Sequence, residues 1–184
     1  VCFEKGSKVY LAEARDYKLG MLGKHQNKNA AVAVKVANLL GISEEDVKQG
    51  LLDAQWVGRL QWVNSKLLVD GAHNVAGMEC LVSYLKTVSP RDVLLLGFSE
   101  GKEIAKMVAM IAPLFPYIII TKSSFKPAQT QFIAEFAQEY CSQVEVVTSV
   151  ADALVRARSI RKNGALVCAG TLYLIGDVLK LHNA

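Results

Sequence analysis

The sequence lacks a strong charge of either sign. Its 184 residues include 21 Lys and Arg against 17 Asp and Glu, which leaves a net charge of only +4. Proteins that bind nucleic acid carry a dense basic surface that attracts phosphate, and this composition does not supply one. With 52% hydrophobic and 21% charged residues, the chain still has the composition of an ordinary folded protein. We therefore expect a globular protein without a nucleic-acid partner.

The four cysteines lack the spacing of a metal or disulfide framework. No Cys-x-x-Cys pair occurs among Cys2, Cys80, Cys141 and Cys168. Zinc sites and small disulfide scaffolds both depend on closely spaced cysteines. We expect reduced core cysteines in a cytoplasmic protein, and no metal site among them.

Long hydrophobic runs are absent as well. The longest uncharged apolar run, residues 107–120, has 14 residues and contains Pro113 and Pro116. A membrane-spanning helix needs about 20 consecutive apolar residues, so we expect no membrane partner. The first residue is Val rather than Met, which indicates either a processed chain or a piece of a longer one.

From residue 67 onward, five strand-like runs alternate with amphipathic segments of helical length. The runs are 67–69, 93–96, 117–120, 144–147 and 165–168, and the helical segments lie near 75–87, 101–112, 127–141, 150–162 and 172–182. Parallel strands need helical crossovers that cover both faces of the sheet. The polar turn Asn64-Ser65 adds an antiparallel edge strand near residues 59–63. The pattern predicts a Rossmann-like three-layer α/β/α domain with a six-stranded, mostly parallel sheet.

Residues 1–55 have a different pattern. A strand-like start at 8–11 is followed by a glycine-punctuated stretch, a helix from about 27 to 40, and a second helix with Ser43 as its N-cap. These pieces are too few to close a sheet over a core. We therefore predict a boundary near Trp56 and interpret residues 1–55 as the tail of a preceding domain.

A short run of polar residues directly follows the first parallel strand. It contains Asp70, His73 and Asn74. In open α/β sheets, ligands bind outside the carboxyl ends of the strands, so these side chains are candidate ligand contacts. Asp-Gly is also a common turn pair and Asn a common N-cap. The local sequence leaves both interpretations open.

Two further segments contain candidate ligand contacts, and each again has a purely structural alternative. Asn29 lies at the start of the Ala- and Val-rich helix, where it is either a ligand contact or, like Asn27, a helix cap. Arg59 offers a planar, always-charged donor beside Gly58 at the predicted boundary, and an ordinary surface arginine is the alternative.

Glycine and hydroxyl residues also follow the second and last parallel strands, in the runs 97–103 and 170–176, where anions often bind. However, no Gly-x-x-x-x-Gly-Lys-Ser/Thr loop and no Gly-x-Gly-x-x-Gly after the first strand occurs. The chain therefore lacks a nucleotide cradle of its own.

Taken in order, these segments resemble the folylpolyglutamate synthase and dihydrofolate synthase family, a branch of the Mur ligase superfamily. Residues 22–31 are similar to the end of that family's central ATPase domain, and residues 58–60 and 70–74 to the opening of its C-terminal domain. Residues 170–174, Gly-Thr-Leu-Tyr-Leu, are similar to the family's closing Gly-Ser-Leu-Tyr-Leu. The resemblance implies that residues 1–55 are an incomplete central ATPase domain and residues 56–184 the C-terminal, glutamate ligase domain.

The resemblance also implies a function: an ATP-dependent ligase that adds L-glutamate to folate, or to dihydropteroate, through an acyl phosphate. ATP and Mg²⁺ would be held mainly by an N-terminal portion that this chain lacks, so we expect the isolated chain to be inactive. Asn29 would contact the adenine and Arg59 the nucleotide phosphates. Asp70 and His73 would be the catalytic residues and would contact the ribose and phosphate side.

The chain departs from the family pattern at several positions. Val57 replaces the usual Pro, Gln61 the usual Glu, and Gly101 the first acid of an Asp-Lys-Asp motif whose lysine, Lys102, is retained. No arginine follows the third strand, where the sequence is Phe-Lys-Pro-Ala. The differences affect the glutamate side more than the nucleotide side. The alternatives are another Mur-type amino-acid ligase and a non-catalytic Rossmann-like binding module.

Overall fold

The computed structural model describes residues 5–183, so Cys2 lies outside the described residues. The chain forms two compact units, Val1–Trp56 and Val57–Ala184. No helix in the described part of the chain is both long and apolar enough to cross a membrane.

The first unit contains two helices, α1 (Gln26–Leu39) and α2 (Glu44–Asp53). The predicted N-cap of α2 is confirmed, since the Ser43 hydroxyl accepts the backbone N–H of Asp46 at 3.1 Å. Three acidic residues follow in the first turn, where the positive end of the helix dipole stabilises them.

The start of α1 differs from the expectation. The helix begins at Gln26, and neither Asn27 nor Asn29 caps it. Instead, the Asn27 side chain accepts the backbone N–H of Tyr17 at 3.0 Å. This asparagine therefore holds the preceding segment of the chain against the helix and does not cap the helix.

The predicted strand over residues 8–11 was wrong, because these residues form no regular structure. A strand needs a neighbour that takes its backbone hydrogen bonds, and the described residues 5–56 provide none. Only Gln26, Ala30 and Ala31 are buried among them. This unit has almost no core of its own.

The second unit alternates strands and helices. Its elements are β1 (Gln61–Asn64), β2 (Leu67–Asp70), α3 (Val75–Leu85), β3 (Arg91–Leu96), α4 (Ile104–Ile111), a 3₁₀ turn (Ala112–Leu114), β4 (Ile118–Ile120), α5 (Thr130–Gln138), β5 (Val144–Val146), α6 (Val150–Ile160), β6 (Ala165–Ala169) and α7 (Leu172–Asn183).

The six strands form one sheet in the order β1-β2-β6-β3-β4-β5. β1 pairs antiparallel with β2, and all other pairs are parallel. The predicted fold class is thereby confirmed, including the antiparallel edge strand. That strand begins at Gln61 rather than at Arg59, because Gly58 and Leu60 have positive φ angles that no strand accepts.

Helices cover both faces of the sheet because successive strand residues point to opposite sides. Leu94 and Leu96 pack toward α3, α4 and α5, whereas Val93 and Leu95 pack toward α6 and α7. All four are fully buried, as expected for a parallel sheet covered on both faces.

The described cysteines carry free thiols, and Cys141 and Cys168 are buried. Burial raises the pKa of Cys168 to about 12. This thiol therefore stays protonated and packs as an apolar group.

Candidate functional site

The carboxyl ends of the central parallel strands bring their following loops together. The backbone N–H of Gly97, after β3, donates to the carbonyl of Ala169 at the end of β6 at 3.2 Å. The hydroxyl oxygens of Ser99 and Thr171 lie 3.4 Å apart. A β-carbon at Gly170 would lie 2.2 Å from the carbonyl oxygen of Gly97. Only glycine lets the two loops approach so closely.

Asp70, the last residue of β2, is buried and 6% exposed. Its Oδ2 accepts the backbone N–H of Leu60 at 2.7 Å, and its Oδ1 accepts that of Ala72 at 2.8 Å. Hydrogen bonds from N–H groups to a buried carboxylate are among the stronger ones in proteins. Both oxygens thus serve the backbone, a role that the sequence did not predict.

The loop before β1 is tied to this carboxylate and to the residue after it. Gly58 has a φ of 75°, and its carbonyl accepts the N–H of Gly71 at 2.8 Å. Leu60 has a φ of 43° although it is not glycine, and its side chain is buried in the core. The sequence analysis predicted ligand contacts in two segments, residues 58–60 and the segment that starts at Asp70. The structure brings these two segments together.

Arg59 lies between these two constrained residues. Its side chain is partly exposed, and it makes no hydrogen bond or ion pair with the described residues 5–183. A guanidinium with this freedom offers five N–H donors to an anion. The residue is thus available for the phosphate contact predicted for it.

The last two residues of the Asp-Gly-Ala-His-Asn run have different roles. Nδ1 of the partly exposed His73 lies 2.8 Å from the carbonyl oxygen of Gly71. A carbonyl only accepts, so Nδ1 carries the proton, and Nε2 of the neutral ring is an acceptor. The Asn74 side chain accepts the N–H of Gly77 at 2.8 Å. Asn74 is therefore the N-cap of α3, which confirms the alternative interpretation of that residue.

Asn29 belongs to the first unit, whereas Arg59, Asp70 and His73 belong to the second. It is exposed, and its amide donates to the side-chain oxygen of Gln26 at 2.8 Å. Both amides border a cavity of about 160 Å³ with mostly apolar walls, lined further by Leu19, Met21, Ala30, Ala33, Leu51 and Ala54. Apolar walls with amide groups at one side suit a planar heterocycle.

The loops on the predicted glutamate side carry exposed groups. Lys102, between β3 and α4, is exposed and has no ion pair within the described part of the chain. The rings of Phe125 and Tyr173 lie 4.5 Å apart between centroids, and both are nearly half exposed. The sequence does not predict this aromatic pair, since its members are 48 residues apart and only the sheet brings them together.

Sequence reasoning also missed Gln61 as a site residue. Its side-chain oxygen accepts the N–H of Gly58 at 2.9 Å, and this bond closes the loop that carries Arg59. The only sequence signal is its place in the Gly-Arg-Leu-Gln run, where it replaces the family's usual Glu.

One charged cluster of the second unit lies apart from the strand-end loops just described, where β4, β5 and α6 meet. The Tyr117 hydroxyl donates to Glu145 at 2.9 Å, and Arg156 donates to both oxygens of the same carboxylate at 3.2 and 3.0 Å. Burial alone would raise the pKa of Glu145, but the hydrogen bonds from Tyr117 and Arg156 lower it. This cluster ties the outer strands to α6.

Comparison with known proteins connects this geometry to a family. The family model of the dihydrofolate synthetase C-terminal domain matches residues 55–181. Among curated proteins, the chain is 27% identical over 177 residues to dihydrofolate synthase/folylpolyglutamate synthase of Bacillus subtilis, covering 90% of this chain and 41% of the relative. It is 23% identical over 172 residues to folylpolyglutamate synthase of Lacticaseibacillus casei, covering 89% and 40%. The chain thus spans about two fifths of these relatives.

Solved structures share the fold. Folylpolyglutamate synthase from Thermotoga maritima superimposes with a TM-score of 0.77 at 25% identity, over all of this chain and 50% of that one. Mycobacterium tuberculosis folylpolyglutamate synthase, solved in complex with ADP, has a TM-score of 0.81 at 22% identity, over 90% and 42%. Because the family model covers most of the second unit, this chain belongs to the family of dihydrofolate synthetase C-terminal domains.

Proposed function

We propose that the chain is the C-terminal part of an ATP-dependent ligase that joins L-glutamate to folate or dihydropteroate. In this reaction the γ-phosphoryl group of ATP passes to a substrate carboxylate, and ADP leaves. The amine of glutamate then attacks the acyl carbon and gives up a proton, the amide bond forms, and phosphate departs with the electron pair of the broken C–O bond. Activation is needed because a free carboxylate is a poor acyl donor.

The observation that carries this proposal is the free guanidinium of Arg59 on a loop tied to the end of β2. Its planar donors match phosphate oxygens, and it has no competing acid among the described residues. In the same strand-end region, His73 has its Nδ1–H held by Gly71, which leaves Nε2 facing no protein partner in the described residues. The Nε2 of a neutral imidazole accepts a hydrogen bond from a hydroxyl group such as those of a ribose.

In the first unit, the cavity beside Asn29 supports an adenine contact. The base would lie between apolar walls, and the amide of Asn29 would meet its polar edge. Asp70 would act at the ribose and phosphate side of the nucleotide. It would do so by holding the loops on either side of it, and not as a free carboxylate.

The proposed reaction also uses Mg²⁺, which we propose is held mainly by the upstream portion of the parent protein. Within residues 5–183 no group of three His, Cys, Asp or Glu side chains is placed to hold a metal ion. We therefore assign no step of the reaction to a metal held by these residues.

A second candidate is another Mur-type amino-acid ligase. UDP-N-acetylmuramyl-tripeptide synthetase of Lactobacillus delbrueckii is 31% identical to this chain, but over only 97 residues and 50% of the chain. The folate enzymes match about 90% of the chain, which favours the folate acceptor.

The test measures phosphate release with ATP, Mg²⁺, L-glutamate and either tetrahydrofolate or a UDP-muramyl peptide. We expect no acceptor-dependent release from the 184-residue chain, and folate-dependent release when the upstream portion of the parent protein is supplied. Release that depends on the muramyl peptide would favour the second candidate. No acceptor-dependent release from the complete parent would favour a non-catalytic binding module.

A further inference from the structure

The loop that carries Arg59 has a backbone conformation that needs neighbouring groups to stabilise it. Gly58 and Leu60, on either side of the arginine, have φ angles of 75° and 43°. A leucine in the left-handed region is unfavourable because its β-carbon approaches the backbone. Such strained residues persist where neighbouring groups over-determine the conformation, often at functional sites.

Two side chains provide that constraint, one for each of the two residues with a positive φ angle. The carboxylate of Asp70 accepts the N–H of Leu60 at 2.7 Å. The amide oxygen of Gln61 accepts the N–H of Gly58 at 2.9 Å. The backbone adds a third tie, because Gly71 donates to the carbonyl of Gly58 at 2.8 Å.

The two side chains differ in what else they do. Asp70 is buried and also holds Ala72, so it anchors two segments of the fold. Gln61 is only partly buried, and the one described hydrogen bond of its side chain is the one to Gly58. It is also neutral, so it holds the loop without placing a negative charge beside the guanidinium.

We propose that Gln61 is a positioning residue, whose bond to Gly58 sets the direction in which Arg59 meets the phosphates of a nucleotide. The inference rests on the proposed function, because it takes Arg59 as the phosphate contact. Without the bond, the N–H of Gly58 turns to water, and Arg59 samples a wider range of directions. Affinity for phosphate then falls although the arginine is still present.

The experiment uses the complete parent protein and ADP as the probe, with dissociation constants from NMR titration, which reaches the millimolar range. Gln61→Met keeps the length of the side chain and removes the acceptor, whereas Gln61→Glu keeps an acceptor oxygen. Gln131→Met, at an exposed position on α5, is the matched control. Arg59→Met reports on the proposed function itself.

We expect Gln61→Met to weaken ADP binding by about fivefold, the change that the loss of one neutral hydrogen bond produces. Measured at about 0.5 M salt, which screens the added carboxylate charge, Gln61→Glu and Gln131→Met should stay within about twofold of the wild type at the same salt. All three variants should unfold within about 4 °C of one another, because at most one neutral hydrogen bond is lost. The Arg59 Nε–H signal should also broaden or shift in Gln61→Met but not in Gln131→Met. A merely structural role would lower the unfolding temperature without this selective loss of affinity.

The failures are distinguishable. If Arg59→Met loses affinity and Gln61→Met does not, or if Gln61→Glu fails as badly as Gln61→Met, the positioning role is overturned and the proposed function stands. If Arg59→Met binds ADP as the wild type does, or if the wild-type parent protein shows no binding, the phosphate role of Arg59 fails, and the inference about Gln61 fails with it.

Discussion

The carboxylate of Asp70 accepts the backbone N–H of Leu60 across ten residues of sequence, at 2.7 Å. This bond joins the end of the first parallel strand to the loop that precedes the sheet. It makes Asp70 part of the framework that presents Arg59, and so separates its role from that of His73, three residues later.

Replacing Asp70 should therefore destabilise the protein. Asp70→Ala leaves two buried backbone N–H groups without an acceptor, and we expect a loss of about 2–4 kcal/mol in the free energy of unfolding. The melting temperature should fall by roughly 5–15 °C. Urea unfolding checks this, with the exposed Asp152→Ala as the control. A change below about 0.5 kcal/mol at Asp70 would contradict the framework role.

His73 should affect turnover rather than stability. It is partly exposed and makes one hydrogen bond, so His73→Ala should change the free energy of unfolding by about 1 kcal/mol or less. In the complete parent enzyme we expect at least a tenfold loss of ligase turnover, equivalent to about 1.4 kcal/mol of transition-state stabilisation. His182→Gln, on α7, should leave turnover unchanged. Normal turnover of His73→Ala would remove it from the catalytic residues.

Two glycines should respond oppositely to the same substitution. Gly170→Ala puts a β-carbon 2.2 Å from the carbonyl oxygen of Gly97 at a φ of 115°, and should cost about 3 kcal/mol or more. Gly176→Ala, inside α7, meets no atom within 4 Å, and should stabilise by about 0.5–1 kcal/mol. Thermal unfolding of both variants measures the difference. Equal effects would show that the contact between the two strand-end loops is not tight.

The stability contributed by Glu145 should depend on pH. Although burial opposes it, hydrogen bonds from Tyr117 and Arg156 hold the pKa of Glu145 below its usual 4.5. A carboxyl whose pKa is lower in the folded state stabilises the protein above the unfolded pKa, and that contribution is lost as pH falls through the folded pKa.

The measurement compares urea unfolding of the wild type with that of Glu145→Gln from about pH 7 down to about pH 3. The difference between them should be constant above the usual pKa and shrink below it. A difference that grows as pH falls would contradict a lowered pKa for Glu145 in the folded protein.

The sequence by itself determined the elements and their order. The five strand-like runs from residue 67 onward become β2 to β6. Four of them are continuous apolar stretches, as a parallel sheet buried on both faces needs, and this requirement is local. The cap at Ser43 was equally predictable, since a cap and its N–H partner lie three residues apart. The strand expected at residues 8–11 was wrong because strand formation depends on a neighbour that the local pattern does not describe.

Only the tertiary structure decided which hydrogen-bond partners the candidate site residues have. The sequence placed Asp70 after a strand, but a carboxylate accepts from any N–H that the fold brings near. The partners it received, Leu60 and Ala72, follow from how the loop before β1 turns. That turn requires a positive φ angle at Leu60, and a leucine in a sequence does not predict a positive φ angle. The contact between Gly97 and Gly170 depends in the same way on β3 and β6 being neighbours in the sheet, because hydrogen bonding between strands is set by topology and not by distance along the chain.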